Sequence, residues 1–173
     1  MHTDPGSAWF YPAALALAAT WAVGAVAAGP VRRGDPSPVR PVLIGLGLVA
    51  VFIAGALVVR EVALLDDQVG AVTAYAHRGS GPLVVLVAVV TGVAEELFFR
   101  GALYDAVPRP VLGTTVVYTV ATLATGNAML VFAAAVLGLV TAWERRRSGG
   151  VVAPAVVHVT WSVGMLVALP ALF

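Results

Sequence analysis

The sequence predicts an all-α protein, a polytopic membrane bundle of about six transmembrane helices forming a single membrane domain over residues 1–173. Three observations predict it: an apolar composition, six apolar stretches near spanning length, and arginine that alternates between successive connections. Of the 173 residues, 60% are hydrophobic and only 11% charged, and the mean hydropathy is +0.96. An ordinary soluble domain carries roughly 25% charged and about 45–50% apolar residues. So few charges could not cover a water-facing surface, whereas lipid needs no such cover. The net charge of +1 generates no bulk field to attract a polyanion, so no nucleic-acid partner is expected. The absence of cysteine excludes disulfides, thiolate zinc sites and Cys nucleophiles.

A membrane-crossing helix needs ~20 mainly apolar residues. Six stretches qualify or nearly do: Ala8–Ala28, Pro41–Val59, Pro82–Val107, Val111–Thr125, Ala128–Trp143 and Val151–Leu169. The fourth and fifth are short and joined only by Gly126-Asn127, which reads as a tight helical hairpin. Ahead of the first stretch stand His2 and Asp4 but no Arg or Lys. A signal peptide starts with basic residues, so this stretch is expected to be a retained span.

Orientation follows from arginine near the span ends. Arg32, Arg33, Arg40, Arg100, Arg109, Arg145, Arg146 and Arg147 fall on one set of alternate connections, against Arg60 and Arg78 on the other. Both termini are therefore expected outside, with the Arg-rich connections in the cytoplasm and the protein multi-pass in the cell membrane. The connection GPVRRGDPSPVRP is too broken by proline to be helical. The segment Glu61–Ser80 mixes apolar residues with acids and reads equally as an interfacial helix or a plain loop. Trp9, Tyr11 and Trp143 sit at span ends, as interfacial aromatic anchors do. Gly45, Gly47, Gly55, Gly113 and Gly138 permit close helix approach. Thr114, Thr115, Thr119, Thr122 and Thr125 form a polar stripe, read first as interhelical bonding and second as site lining. His77 falls in an outer connection and is expected to be inert.

Ionisable residues at bilayer depth cost ~2.5–3.5 kcal/mol each on insertion scales and call for a reason. The third stretch carries Glu95, Glu96 and Arg100. Glu96 and Arg100 share a face at four residues' spacing and can pair. Glu95 points about 100° away and has no local partner. A carboxyl in a low-dielectric site suits general acid–base work, although a structural ion pair that staples helices would use the same residues. The sixth stretch supplies His158, with Ser162 one turn later on the same face. Counted from the cytoplasmic ends of their helices, His158 lies about 10 Å deep and Glu95 about 15 Å. The arginine-derived topology thus brings carboxyls and imidazole to similar depth, facing a cavity expected to open toward the cytoplasm.

EELFFRG, Glu95 to Gly101, resembles the EExxxR signature of the CPBP intramembrane proteases, also called the CAAX-protease and bacteriocin-processing family or Abi proteins. GVVAPAVVHVTWSV resembles that family's last motif, a His followed four residues later by Asn or a small or polar residue. The resemblance covers residues 82–169, which it marks as the catalytic core. Between the two motifs the family carries F-x-x-x-H. Here Tyr118 stands for the Phe and Thr122 for the His. The resemblance implies Glu95 as the water-activating base, with Glu96 and Arg100 as its support. It implies His158 as oxyanion donor or ligand, and Ser162 in the place of the Asn. Phe99, Thr122 and Ser162 complete the expected lining.

A divalent metal such as zinc wants about three protein ligands plus water. Glu95, Glu96 and His158 are the only candidates, and Arg100 beside them repels a cation, so a metal-free carboxylate mechanism is expected. The leading expectation is a membrane-embedded endopeptidase that hydrolyses a peptide bond near the cytoplasmic membrane face, its partners being a peptide or protein substrate and the lipid bilayer. The alternative is a catalytically inactive relative acting as a membrane scaffold, immunity or regulatory protein, which the missing His favours. A small transporter fits less well, because the polar groups cluster at one depth instead of lining a path.

Overall fold

The computed structural model describes residue 4 and residues 6–173; His2 lies outside the described residues. These form seven helices and no strand: α1 Phe10–Ala27, α2 Val39–Val59, α3 Ala63–Arg78, α4 Gly81–Ala106, α5 Pro110–Thr125, α6 Ala128–Ser148 and α7 Val152–Ala171. The protein is a polytopic helical membrane bundle. Five of the helices, α1, α2, α4, α6 and α7, are long and apolar enough to cross a membrane. The fourth expected span is the shorter helix α5. At 1.5 Å per residue it reaches ~24 Å, less than the ~30 Å hydrocarbon core.

Glu61–Ser80 resolves as the helix α3, between the alternatives its sequence left open. Its Gln68 carbonyl accepts from Asn127 Nδ2 at 2.7 Å, and its Gln68 side chain accepts from Ala128 N. Asn127 in turn caps α6 by accepting from Leu130 N at 3.0 Å, satisfying a first-turn donor. Tyr11 is tied down as well, its hydroxyl accepting from Ser80 N at 2.9 Å. These bonds gather the start of α1, the whole of α3 and the α5–α6 turn at one end of the bundle.

The opposite end is built from the Arg-rich connections. The α1–α2 linker runs alongside the α6–α7 turn, with Val151 N donating to Arg32 O and Val152 N to Arg33 O. A methyl group on Gly150 would collide with the backbone of Arg33 and Gly34, so only glycine permits this approach. Arg40 pairs with the buried Glu144 at 2.7 Å. Arg145 is itself buried and pairs with Asp105 at 3.0 Å. Two arginines that mark topology in the sequence therefore also hold helices together.

α4 occupies the centre and packs against α1 and α7, while α5 packs on α6 and α2 on α7. Exposed large apolar side chains, among them Val23, Leu43, Val51, Leu86, Val116 and Val167, ring the outside. A surface of this kind suits lipid and would be a liability in water. The threonine stripe of α5 does not bond between helices. Thr114, Thr115, Thr119 and Thr122 each donate to the carbonyl four residues back in α5 itself, and Thr125 to Thr122 O. A hydroxyl facing an apolar surround is satisfied most readily by its own helix.

Candidate functional site

Four buried or half-buried polar side chains meet near the middle of the bundle. Glu96 and Arg100 stand one turn apart on α4 and pair at 3.2 Å, both fully excluded from solvent. His158, from α7, reaches the same carboxylate, its Nδ1 lying 2.8 Å from Glu96 Oε1. Its other nitrogen, Nε2, lies 4.0 Å from Glu95 Oε2. Glu95 has no partner on its own helix, as its face on α4 implies. It finds one on α5, where Tyr118 donates its hydroxyl to Oε2 at 2.8 Å.

The local chain explains why these groups can meet. Over Leu97–Ala102 the helix α4 widens into a π-helical turn, a feature that tends to occur at functional sites. Arg145 Nε donates to the Arg100 carbonyl of that turn at 2.7 Å. Close packing does the rest. A side chain at Gly92 would press on the His158 ring, and one at Gly138 would press on Arg100 and Tyr118. Gly138 also offers its carbonyl to Arg100 Nη2 at 2.9 Å. Gly47 and Gly55, grouped with it in the sequence, face open space instead. The Arg100 guanidinium carbon lies 4.8 Å from the Tyr118 ring centre. A buried cation is thus compensated by one carboxylate, one carbonyl and an aromatic face.

At 4.0 Å, Glu95 Oε2 and His158 Nε2 stand beyond direct hydrogen-bond reach but close enough to act on one substrate group between them.

Glu95, Phe99, Thr122, His158 and Ser162 all line one cavity of about 310 Å³, together with Tyr118 and Trp161. Glu96 does not: it lies behind His158, sealed from the cavity. The direction of the opening also differs from the expected one. Phe99 and Leu137 form a closed floor on the Arg-rich side, at 0% and 1% exposure. The exposed lining is Leu17 of α1 with Ala121 and Thr125 of α5. The cavity therefore opens sideways between α1 and α5, toward the hairpin end, because the π-helical turn and its aromatic side chains fill the Arg-rich half. A second, apolar cavity of about 410 Å³ between α2, α3, α6 and α7 adjoins it. The two share Ala88, Leu130, Ala133, Trp161 and Ser162 as a wall.

A family model described as Rce1-like, type II CAAX prenyl endopeptidase Rce1-like, matches residues 78–164. The chain belongs to this family. No curated protein and no solved structure matches it. The Rce1-like match runs from the end of α3 into α7 and so contains every member of the polar cluster. Only α1, with Leu17 and Trp21 on the cavity wall, contributes from outside it.

The residue that sequence reasoning passed over is Tyr118, noted only as a replacement for Phe. Its signal was the extra hydroxyl, placed where an apolar ring is expected. Thr122 lines the cavity, but its hydroxyl donates to Tyr118 O at 2.9 Å. As metal donors, Glu95 and His158 Nε2 point toward each other, while His158 Nδ1 and Glu96 Oε1 engage one another and Arg100. No group of three or more His, Cys, Asp or Glu positioned to hold a metal ion occurs among the described residues. Zinc wants about three protein ligands, and this donor set supplies two, so the residues do not fit the ion.

Proposed function

We propose that the protein is a membrane-embedded endopeptidase that hydrolyses a peptide bond at the level of Glu95, using water and no metal. The observation that carries this reading is the 4.0 Å approach of Glu95 Oε2 to His158 Nε2 on the wall of a single cavity. Glu95 takes a proton from a water molecule, whose oxygen bonds to the scissile carbonyl carbon. The oxyanion so formed accepts a hydrogen bond from Nε2–H of His158 acting as imidazolium, whose other N–H faces Glu96. Glu95 then returns the proton to the amide nitrogen as the C–N bond breaks. Glu96 keeps the imidazole aimed by accepting from Nδ1, the orienting role a carboxylate plays toward a catalytic histidine.

The lateral mouth between α1 and α5 supports a substrate that arrives through the lipid, and the adjoining apolar cavity offers room for its hydrophobic portion. The site thus sits near mid-bilayer depth and is reached from the membrane. The arginine bias supports both termini outside and the Arg-rich connections in the cytoplasm of a cell-membrane protein. A reporter active only outside the cytoplasm is then expected to give signal when fused after Phe173. Signal from a cytoplasm-only reporter at that position would reverse the sidedness.

The direct test of the enzyme reading is a cleavage assay on purified protein in liposomes with lipid-anchored peptides. His158→Ala is expected to lower kcat by roughly 10²–10³, the effect of losing one oxyanion donor. Unchanged turnover in that variant would remove His158 from the chemistry. The second reading, an inactive relative serving as a scaffold, immunity or regulatory membrane protein, is favoured by one observation. Thr122 stands where the resemblance calls for a His, and its hydroxyl is directed to its own helix.

A further inference from the structure

The geometry points to Tyr118 as the positioning residue of Glu95. Three facts place it there. Its hydroxyl donates to Glu95 Oε2 at 2.8 Å, and among the described contacts Oε1 accepts no hydrogen bond. One oxygen is thereby anchored and the other left to the cavity, which is the arrangement a base needs to meet water in a single orientation. The ring is itself immobilised, with its centre 4.9 Å from that of Phe99 and 4.8 Å from the Arg100 guanidinium. The donor's direction is therefore set by packing and not by the loose end of a flexible chain. Finally, Thr122 lies one turn further along α5, and its hydroxyl is already bonded to Tyr118 O. Thr122 therefore has no hydroxyl proton to offer Glu95, and the same helix supplies the donor four residues earlier, on the side that reaches α4.

The catalytic consequence rests on the endopeptidase reading, whereas the hydrogen bond is tested apart from turnover. Tyr118→Phe keeps the ring against Arg100 and Phe99 and deletes only the hydroxyl. In the liposome assay kcat is expected to fall roughly tenfold to a hundredfold with KM unchanged, since a misaimed base slows chemistry without weakening substrate binding. A residue that merely packs would leave kcat where it was. The second measurement uses a hydrophobic carbodiimide, which captures protonated carboxyls and is read by mass spectrometry at Glu95. A hydrogen bond donated to a carboxylate favours its ionised form, so Tyr118→Phe is expected to speed labelling of Glu95. Should that variant fail to accumulate, 3-fluorotyrosine at position 118 serves in its place. The fluorine strengthens the donor at nearly constant shape and is expected to slow labelling.

The outcomes separate cleanly. Active wild type with unchanged kcat in Tyr118→Phe overturns the assignment and leaves the endopeptidase reading intact. Wild type without peptidase activity overturns the endopeptidase reading, and the labelling rates then decide the role of Tyr118. Labelling of Glu95 at the wild-type rate in the variant carrying the altered residue 118 overturns it.

Discussion

Replacing Glu95 by Gln is expected to abolish peptide cleavage while leaving the protein folded. The amide has the volume of the carboxyl, and its oxygen can still accept the Tyr118 hydroxyl that now meets Oε2 at 2.8 Å. The site's shape is therefore kept. What disappears is the capacity to take a proton from water, and a positioned general base contributes typically 10²–10⁴ in rate. Without another carboxyl on the cavity wall to take over, because Glu96 is sealed behind His158, the loss should lie at the upper end of that range. The measurement is single-turnover cleavage by wild type and Glu95→Gln in liposomes, with thermal unfolding in detergent as the control for folding. Full activity in a folded Glu95→Gln protein would sink the enzyme reading whatever the family.

The Glu96→Gln change is expected to fail differently, through stability first. Glu96 Oε1 serves two partners, Arg100 Nη1 at 3.2 Å and His158 Nδ1 at 2.8 Å, and all three groups are buried. Neutralising it leaves the guanidinium without a counter-charge, facing a neutral amide, the Gly138 carbonyl and aromatic faces. Breaking a buried pair by removing one partner costs about 3–5 kcal/mol. Removing both, as in Glu96→Gln with Arg100→Met, takes away the uncompensated charge, so the double variant should regain stability over the single one. It should not regain turnover, because His158 has still lost its orienting carboxylate. Thermal unfolding of the two variants beside wild type checks this. Equal midpoints for wild type and Glu96→Gln would show that the pair carries little of the fold.

Certain features of this protein follow from short-range chemistry, and these the sequence determined. A run of apolar residues long enough to cross lipid is a helix, because hydrocarbon leaves the backbone no partner but itself. Glu96 and Arg100 pair because four residues along an α-helix return to the same face. Glu95 lacks a partner on its own helix for the same reason. The alternation of arginine gave the order of ends, and the bundle obeys it: α3 and the α5–α6 turn gather at one end, the Arg-rich connections at the other.

Other features depend on residues far apart in the chain, and only tertiary structure decided them. Tyr118 meets Glu95 across 23 residues, Arg145 meets the Arg100 carbonyl across 45, and His158 meets Glu96 across 62. No periodicity encodes such distances. Each depends on how closely two helices approach, which Gly92 and Gly138 permit here. The widened turn at Leu97–Ala102 was equally silent, because no residue pattern along its six positions distinguishes a π-helical turn from an α-helical one. The same holds for the mouth of the cavity. Depth along each helix could be counted from the sequence, but which side is open is set by where Phe99 and Leu137 pack. Helix periodicity fixes which face a side chain occupies; what lies against that face is a property of the assembled bundle.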